Sequence, residues 1–423
     1  MALWVWKFGG SSVAGPDRIR HVARRVAEAR KEGHDLVVVV SAMGDTTDDL
    51  IDLARQLHPE PPARELDALM ATGEQTSAAL LAMALDALGV PARSFTGWQA
   101  GIQTEGPHGS ARVRAIAPER LREALGAGFV PVVAGFQGLS AEGYVTTLGR
   151  GGSDTTAVAL AAALGADRCE IFSDVEGVFT ADPRVVPDAQ LLPVISYDEM
   201  MELARLGAQV LHHRAVTCAQ HHGIVIHARS TFSDHPGTRV VPAGAIEPDR
   251  PVSGVASDRH VARLALVSVP NVPGIAHRVF SALAEAGINV DMISQSVARN
   301  GHQDIAFTIA DGHLAVAQRI LEPVVRELPA ERLVVDDGIA KVSAVGAGMA
   351  TQPGVAATMF GALAAAGINI EMISTSEISI SCLVARERVD DAVRAVHAAF
   401  GLGAGEAAAD EPAPRAKFEI DTQ

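Results

Sequence analysis

The sequence predicts an α/β protein with a mostly parallel sheet covered on both faces, followed by two smaller ferredoxin-like units. Three observations predict this class. The first 230 residues alternate short β-rich runs with amphipathic helical patterns, a proline- and glycine-rich segment follows, and the remainder contains an internal repeat. We therefore expect a large domain at 1–232, a linker at 233–252, small units at 253–338 and 339–400, and a flexible tail at 401–423.

The large domain is predicted from two alternating periodicities. Strands are expected at Leu3–Phe8, Leu36–Val40, Val130–Ala134 and Ile224–Ile226, and helices at Asp17–Arg30, Glu65–Leu88 and Thr155–Leu164. Strand and helix alternating at this spacing are typical of a parallel sheet. Ligands bind such sheets at the carboxyl ends of the strands, so the loops after the strands are the candidate sites.

The repeat consists of residues 273–296 and 353–376, which align without a gap and are identical at 15 of 24 positions. Each copy begins with Pro-Gly, continues as an amphipathic helix and ends in Gly-Ile-Asn before a β-type run. Further β-type runs lie on both sides of each copy. Two copies are too few for an extended array, so we predict two paired domains with the ferredoxin-like pattern.

Composition excludes several classes of function. The net charge of −15 has the wrong sign for a protein that wraps nucleic acid or an anionic membrane. Three cysteines without metal-type spacing indicate a reducing compartment. There is no apolar run long enough for a membrane span and no signal peptide, so a cytoplasmic protein is expected.

Two glycine-rich segments carry the strongest chemical signal. Lys7 stands near the end of the first strand, before Gly9 and Gly10, and a lysine beside free backbone amides suits a phosphate. The segment 146–157 places Arg150 and Asp154 among three glycines at a predicted helix start. An ordinary turn and a helix cap are the alternatives, and both segments lack the Walker A and dinucleotide-binding patterns.

Three further segments are weaker candidates. Residues 172–184 and 41–48 follow predicted strands and offer hydroxyl and acidic groups, although a plain connection or a helix cap explains each equally well. Glu74 lies inside a long apolar helical pattern, where a solvated position is the alternative.

Taken together, the motifs resemble those of aspartokinases. The resemblance is carried in order by KFGGSSVA, VVSAMGDTTD, ATGEQTSAALL, GWQAGIQT, TLGRGGSDTTAVALAAALGAD, SDVEGVFTADPR and ISYDEMMELARLGAQVLHHRAV. It implies an amino-acid-kinase three-layer sandwich followed by two ACT domains. It also implies ATP with Mg²⁺ and the conversion of aspartate to 4-phosphoaspartate, on the route to lysine, methionine and threonine.

The resemblance implies roles for individual residues. Lys7 and Asp154 would be catalytic. Lys7 would neutralise the transferring phosphoryl group, and Asp154 would organise the reacting centre through Lys7 or the substrate ammonium. No residue is assigned to a metal. The implied ATP contacts are Lys7, Gly9, Gly10, Ser41, Ser173, Asp174, Thr180 and Arg184. The implied aspartate contacts are Thr47, Glu74, Arg150, Gly151, Gly152 and Ser153. A carboxylate with an ordinary pKa near 3.9 is ionised at pH 7, so its attack on phosphorus needs no general base.

The ACT domains imply control by an amino acid, threonine or lysine, bound at the interface where ACT domains pair side by side, against the Pro-Gly turn that begins the helix. The expected effector contacts are Asn271, Gly274, Ile275, Asn289, Asp291 and Gln295, the last three in the strand facing the Pro-Gly turn. Asn271 replaces the usual aspartate, which predicts inhibition by threonine, alone or with lysine, and weak inhibition by lysine alone. A homodimer or higher oligomer is expected. Some relatives of this kind also use a separately translated regulatory subunit. This chain would obtain such a subunit only if translation began at an internal codon other than that for Met.

Several alternatives remain. Six histidines between positions 212 and 235 suggest zinc, but their scattered spacing favours a solvated helix. The same scaffold can serve an inactive amino-acid sensor, which the intact set of candidate residues disfavours. Another carboxylate kinase, acting on glutamate or acetylglutamate, is disfavoured by the repeated units and by the TGEQ segment.

Overall fold

A computed structural model describes residues 2–208, 210–245 and 250–403. The chain begins with a mixed α/β domain. Its strands are β1 (Leu3–Phe8), β2 (Asp35–Val40), β3 (Ala92–Phe95), β4 (Ile102–Glu105), β5 (Arg112–Ile116), β6 (Val130–Ala134), β7 (Gln137–Ser140), β8 (Val145–Thr147), β9 (Arg168–Ser173), β10 (Val194–Ser196), β11 (Ile226–Ser230) and β12 (Thr238–Val241). Its helices are α1 (Pro16–Lys31), α2 (Thr46–Leu57), α3 (Ala63–Asp86), α4 (Glu119–Gly126), α5 (Gly152–Leu164), α6 (Tyr197–Arg205) and α7 (His213–His222).

Eight strands form the main sheet in the order β10-β12-β11-β9-β1-β2-β6-β3, and every pair except β11–β12 is parallel. A second sheet has the order β5-β4-β7-β8. The predicted parallel sheet is therefore confirmed. The strand predicted at 224–226 lies at Ile226–Ser230 instead, because the chain after α7 turns at Gly223 before it joins the sheet.

Helices cover both faces of the main sheet because side chains alternate along its strands. In β1, Val5 packs with α5 and α7 on one face, whereas Trp6 and Phe8 pack with α1 and α3 on the other. Leu81 on α3 is fully buried there. Burying one such leucine stabilises the fold by about 1.5–3 kcal/mol.

The C-terminal part holds two four-stranded antiparallel sheets with helices. Its elements are β13 (Gly254–Asp258), β14 (Val261–Pro270), α8 (Ile275–Glu285), β15 (Ile293–Gln295), β16 (His302–Ala310), α9 (Leu314–Glu327), β17 (Arg332–Asp336), β18 (Ile339–Val345), α10 (Val355–Ala365), β19 (Met372–Thr375), β20 (Ser379–Ala385) and α11 (Val389–Ala399). The two sheets have the orders β15-β16-β14-β17 and β13-β18-β20-β19.

The boundaries around the small units differ from prediction. β13 was expected in the first unit, but it pairs with β18 and so lies in the sheet of the second. The first unit is thus inserted within the second. The predicted linker also contains β12, an inner strand of the main sheet. Three of the four side chains in its Thr-Arg-Val-Val run are buried, which favours a strand over a linker. Of the predicted tail, Leu402 is buried, and residues 404–423 lie outside the described residues.

Candidate active site

Five strands of the main sheet end side by side. The amide of Ser41 donates to the carbonyl of Phe8 (3.1 Å), that of Gly135 to Val40 (3.0 Å) and that of Thr231 to Ser173 (2.8 Å). The loops after β1, β2, β6, β9 and β11 therefore start from one edge of the sheet, where the sequence placed the candidate residues.

Lys7 and Asp154 meet at this edge. Lys7 is at the end of β1 and Asp154 is in the first turn of α5, where the helix dipole favours a negative charge. Their Nζ and Oδ1 atoms are 2.6 Å apart, and each side chain is only 11% exposed. The structure thus brings together the two residues predicted to be catalytic.

Glu74 points from the middle of α3 toward the same edge. Its Oε1 accepts a hydrogen bond from the amide of Ala42 (3.1 Å), and within the described part of the chain its buried Oε2 has no hydrogen-bond partner. The residue is 3% exposed, and burial raises the pKa of its carboxyl to about 7. Gly73 permits this approach, since a Cβ there would lie 2.8 Å from the Cβ of Ala42. A solvated Glu74 is therefore ruled out.

The turn before α5 presents Arg150 between two glycines. Gly149 (φ 74°) and Gly151 (φ 72°) both adopt the left-handed conformation that favours glycine. Arg150 is exposed at the tip, whereas Gly152 and Ser153 are buried. The guanidinium is therefore the group of this turn that is most accessible to a ligand.

The predicted nucleotide contacts that follow β9 differ in their surroundings. Asp174 is exposed just beyond the strand, and Ser173 accepts a hydrogen bond from the amide of Val175 (3.3 Å). The exposed Arg184 is held by the carboxylate of Asp182, with an Nη2–Oδ2 distance of 2.7 Å. Asp182 thus competes with a phosphate for this arginine.

The hydroxyl of Thr180, a predicted nucleotide contact, already has hydrogen-bond partners within the protein. Its hydroxyl is buried against the second small unit, 2.9 Å from Nε2 of His397 on α11, and it accepts the amide of Gln190 (2.9 Å). The side chain therefore joins the large domain to the second small unit.

The backbone N–H of Gly9, predicted to donate to ATP, already has a hydrogen-bond partner. Its amide donates to the carbonyl of Phe172 (3.1 Å), so this donor is already used. A Cβ on Gly10 would lie 2.9 Å from the carbonyl oxygen of Ala42, which explains glycine there by close approach of two loops. Ser41 follows β2 at the same edge, and Thr47 is half-buried in the first turn of α2.

The predicted effector residues lie around the start of α8. Gly274 (φ 94°) precedes the helix and Ile275 begins it. Asn271 is exposed, and its backbone N–H donates a hydrogen bond to the carbonyl of Gly301 (2.8 Å). Gln295 lies in β15 as predicted, although its side chain donates to Gln303 (2.7 Å).

Asn289 and Asp291 depart from prediction because they precede β15 and are not part of it. The carboxylate of Asp291 is paired with Lys341, which is 3% exposed, on β18 of the second unit. Because Lys341 already neutralises this carboxylate, Asp291 is a poor acceptor for the ammonium group of an effector.

One buried carboxylate that organises this region was not predicted from the sequence. Asp67, fully buried on α3, accepts hydrogen bonds from the hydroxyl of Thr147 (2.5 Å), the amide of Gly109 (3.0 Å) and Nδ1 of His108 (2.7 Å). It ties the loop 106–111 to the end of β8. The available signal was its spacing of seven from Glu74, which places both carboxylates on one helix face.

The described residues contain no group of three or more histidine, cysteine or acidic side chains arranged to hold a metal ion. Across the same residues, no helix is long and apolar enough to cross a membrane.

Comparison with known proteins defines the class. The model of the amino acid kinase family matches residues 2–230, and two ACT domain models match residues 263–327 and 342–400. The catalytic fold is therefore an amino acid kinase, and the small units are ACT domains.

Relatives narrow the class further. The aspartokinase of Mycolicibacterium smegmatis is 54% identical over 410 residues, covering 95% of this chain and 97% of the relative. Two structures of E. coli aspartokinase III cover 94% of this chain. The complex with aspartate and ADP (R-state) has a TM-score of 0.81, 28% identity and 100% coverage of that chain. The complex with lysine and aspartate (T-state) has a TM-score of 0.72, 27% identity and 99% coverage. The chain belongs to the aspartokinase family and is an aspartate kinase.

Proposed function

We propose that this enzyme transfers the γ-phosphoryl group of ATP to the side-chain carboxylate of L-aspartate, forming 4-phospho-L-aspartate and ADP. A carboxylate oxygen forms a bond to phosphorus while the bond from phosphorus to the ADP oxygen breaks, and no proton has to move. The product is the first intermediate toward lysine, methionine and threonine. The observation that carries the proposal is the Lys7–Asp154 pair, at the sheet edge that also presents Glu74 and the turn of Arg150.

Charge neutralisation and positioning are what this reaction requires. Lys7 supplies a cation to the transferring group, and Asp154 holds its ammonium in place at 2.6 Å. Arg150 is suited to the α-carboxylate of aspartate, because a guanidinium can bind it through two hydrogen bonds. Oε2 of Glu74, which has no hydrogen-bond partner among the described residues, is suited to the substrate ammonium, which would favour the ionised form of this carboxyl.

ATP would bind along the ends of β1, β2 and β9, with Ser41, Gly10, Ser173 and Asp174 as contacts. Mg²⁺ fits a role as a companion of the triphosphate, because this metal keeps several waters and needs only one or two protein carboxylates. The exposed Asp174 is a carboxylate of this kind. When bound, the metal would neutralise phosphate charge.

A hydroxamate assay for acyl phosphate tests the reaction. With ATP present, we expect product from L-aspartate and none from L-glutamate or N-acetylglutamate. Product from glutamate alone would establish another carboxylate kinase, and no product from any of the three would establish an inactive sensor.

We further propose that an amino acid inhibits the enzyme by binding at the start of α8, where two chains pair through their ACT domains. The edge strand β15 supports pairing, since Ile293 is 54% exposed. Asn271 carries no charge and Asp291 is paired with Lys341, so a neutral effector such as threonine loses less here than lysine. Threonine, alone or with lysine, should inhibit more strongly than lysine alone, and Asn271→Asp should strengthen the response to lysine. Strong inhibition of the natural enzyme by lysine alone would contradict this.

A further inference from the structure

The N-terminus of α7 packs against the turn that presents Arg150. We propose that His212 and Arg214 are positioning residues, which hold the turn Gly149–Gly152 in place and thereby orient Arg150 toward aspartate. This inference rests on the substrate role of Arg150 proposed above.

Arg214 joins the two segments that flank the turn. Its Nη1 donates to the carbonyl of Leu148, immediately before Gly149, and its Nη2 donates to the carbonyl of Ala111 (2.8 Å). Ala111 in turn donates its amide to the carbonyl of Thr147 (3.0 Å). One guanidinium therefore fixes the entrance to the turn from two sides.

His212 fills the space beside the turn. A Cβ on Gly151 would lie 2.1 Å from Cγ of this ring, so the imidazole sits where a side chain at position 151 would stand. Nδ1 of His212 accepts the amide of Arg214 (3.3 Å), which caps α7 and fixes the orientation of the ring. Burial lowers the pKa of His212 to about 4, assisted by His213, Arg214 and Arg150 and opposed by Asp154, so the ring is neutral at pH 7.

The turn needs such external support because its own backbone is permissive. Two glycines flank Arg150, and glycine loses more conformational freedom on ordering than any other residue. Arg150 itself is exposed. Contacts from α7 lower the entropy that the turn would otherwise lose when aspartate binds.

Steady-state kinetics of Arg214→Lys test the first contact. Lysine keeps the charge but cannot donate to two carbonyls in a fork. We expect the KM for aspartate to rise roughly tenfold to hundredfold, with a change of less than about twofold in the KM for ATP. Equal rises in both KM values would show a general loss of structure and overturn the proposal.

His212→Ser tests the second contact, with His221→Ser as the matched control. Serine can still cap α7, but it removes Cγ and the rest of the ring from the space beside Gly151. His221 is exposed in the last turn of the same helix, so its variant should retain both KM values, whereas His212→Ser should raise the KM for aspartate. A rise in the KM for aspartate in His221→Ser equal to that in His212→Ser would contradict a specific role for His212.

A double-variant cycle tests whether Arg214 acts through Arg150. In an Arg150→Ala background, Arg214→Lys should cause no further loss of aspartate binding, measured by calorimetry. Fully additive losses would overturn the proposal.

Amide hydrogen exchange provides a readout that does not depend on the substrate. Peptides covering 148–152 should exchange faster in Arg214→Lys and His212→Ser than in His221→Ser. Unchanged exchange would overturn the positioning role. Faster exchange in an enzyme that makes no product from aspartate would instead leave the positioning role intact and contradict the proposed function.

Discussion

Lys7 and Asp154 are both largely removed from water, so each stabilises the other in addition to the catalytic role proposed for it. Removing one partner of a buried ion pair leaves an unpaired charge, which costs about 3–5 kcal/mol, whereas removing both is nearly neutral. The motifs predicted that these two residues serve one site, because they lie in glycine-rich segments after strands. The resemblance implied that Asp154 acts through Lys7 or through the substrate ammonium, and the structure shows a direct ion pair with Lys7. Periodicity alone could not predict this pair, because two residues 147 positions apart meet only through the packing of the sheet and α5.

Lys7→Met should lower kcat by a factor of about 10²–10³ and also lower the free energy of unfolding, because Asp154 loses its partner. Lys7→Met combined with Asp154→Leu should recover much of the stability but none of the activity. Denaturant unfolding and the hydroxamate assay measure the two effects separately. A stable and active Lys7→Met enzyme would contradict the site.

Glu74 should make aspartate binding depend on pH. Its pKa of about 7 is above its ordinary value of 4.5, so kcat/KM for aspartate should rise as pH increases through 7 and Glu74 ionises. Its contribution to stability has the opposite direction and falls as pH rises from 4.5 toward 7, because the folded state retains the proton more tightly.

Glu74→Gln should flatten the pH profile of kcat/KM between pH 6 and 8. Glu65→Gln, at an exposed position in the first turn of the same helix, is the matched control and should retain the profile. If the Glu74→Gln profile keeps the same midpoint, another group is responsible for it.

At the scale of elements, the turn between β8 and α5 shows which glycines have no substitute. Gly151 has a left-handed backbone, and a side chain there would collide with His212. Gly143, in the turn between β7 and β8, needs only the left-handed backbone, because no atom of the described residues lies within 4 Å of a Cβ placed there. Sequence alone shows two glycines in turns and cannot separate these cases, because His212 approaches from a distant part of the chain.

Gly143→Ala should therefore cost only about 1–2 kcal/mol in the free energy of unfolding and leave activity intact. Gly151→Ala should cost more and strongly reduce activity, because the ring of His212 must move. Unfolding curves and aspartate KM values for the two variants provide the comparison. Equal costs would show that the ring adjusts freely.

On the scale of the whole molecule, α6 links the kinase domain to the second ACT domain. Oε1 of Glu199 on α6 accepts the hydroxyl of Ser253 (2.5 Å) and the amide of Ala347 (3.0 Å). Burial opposes ionisation of Glu199, but the hydrogen bonds outweigh it and lower the pKa of the carboxyl. This stabilisation is present above its ordinary pKa of 4.5 and is lost as pH falls through the lowered value.

Glu199→Gln should weaken this link and reduce the inhibition produced by an effector, since coupling between separate sites requires a connection between them. The inhibition constant for threonine should rise by a factor of about 5 or more. Asp198→Asn is the matched control, because Asp198 bonds to Gln220 within the kinase domain. An unchanged inhibition constant in Glu199→Gln would place the coupling elsewhere.

Most of the domain plan was predictable from periodicity and from the repeat, but the nesting of the ACT domains was not. In the first ACT domain β17 completes the sheet beside β14, and in the second β13 takes the equivalent place beside β18. β13 and β14 are adjacent β-type runs of similar character. Their separation between two sheets depends on strand pairing, which local sequence does not encode.

The nested arrangement also sets an order of events during synthesis. Asp258 of β13 pairs with Lys341, so the strand is made about 80 residues before the partner that satisfies its backbone. At roughly 5–20 residues per second, the ribosome needs several seconds to deliver β18. The first ACT domain lies wholly between these strands and can close by itself in that interval. The newborn chain thus carries an unmatched strand edge until the last domain emerges, and this interval is when contact with another nascent chain is most hazardous.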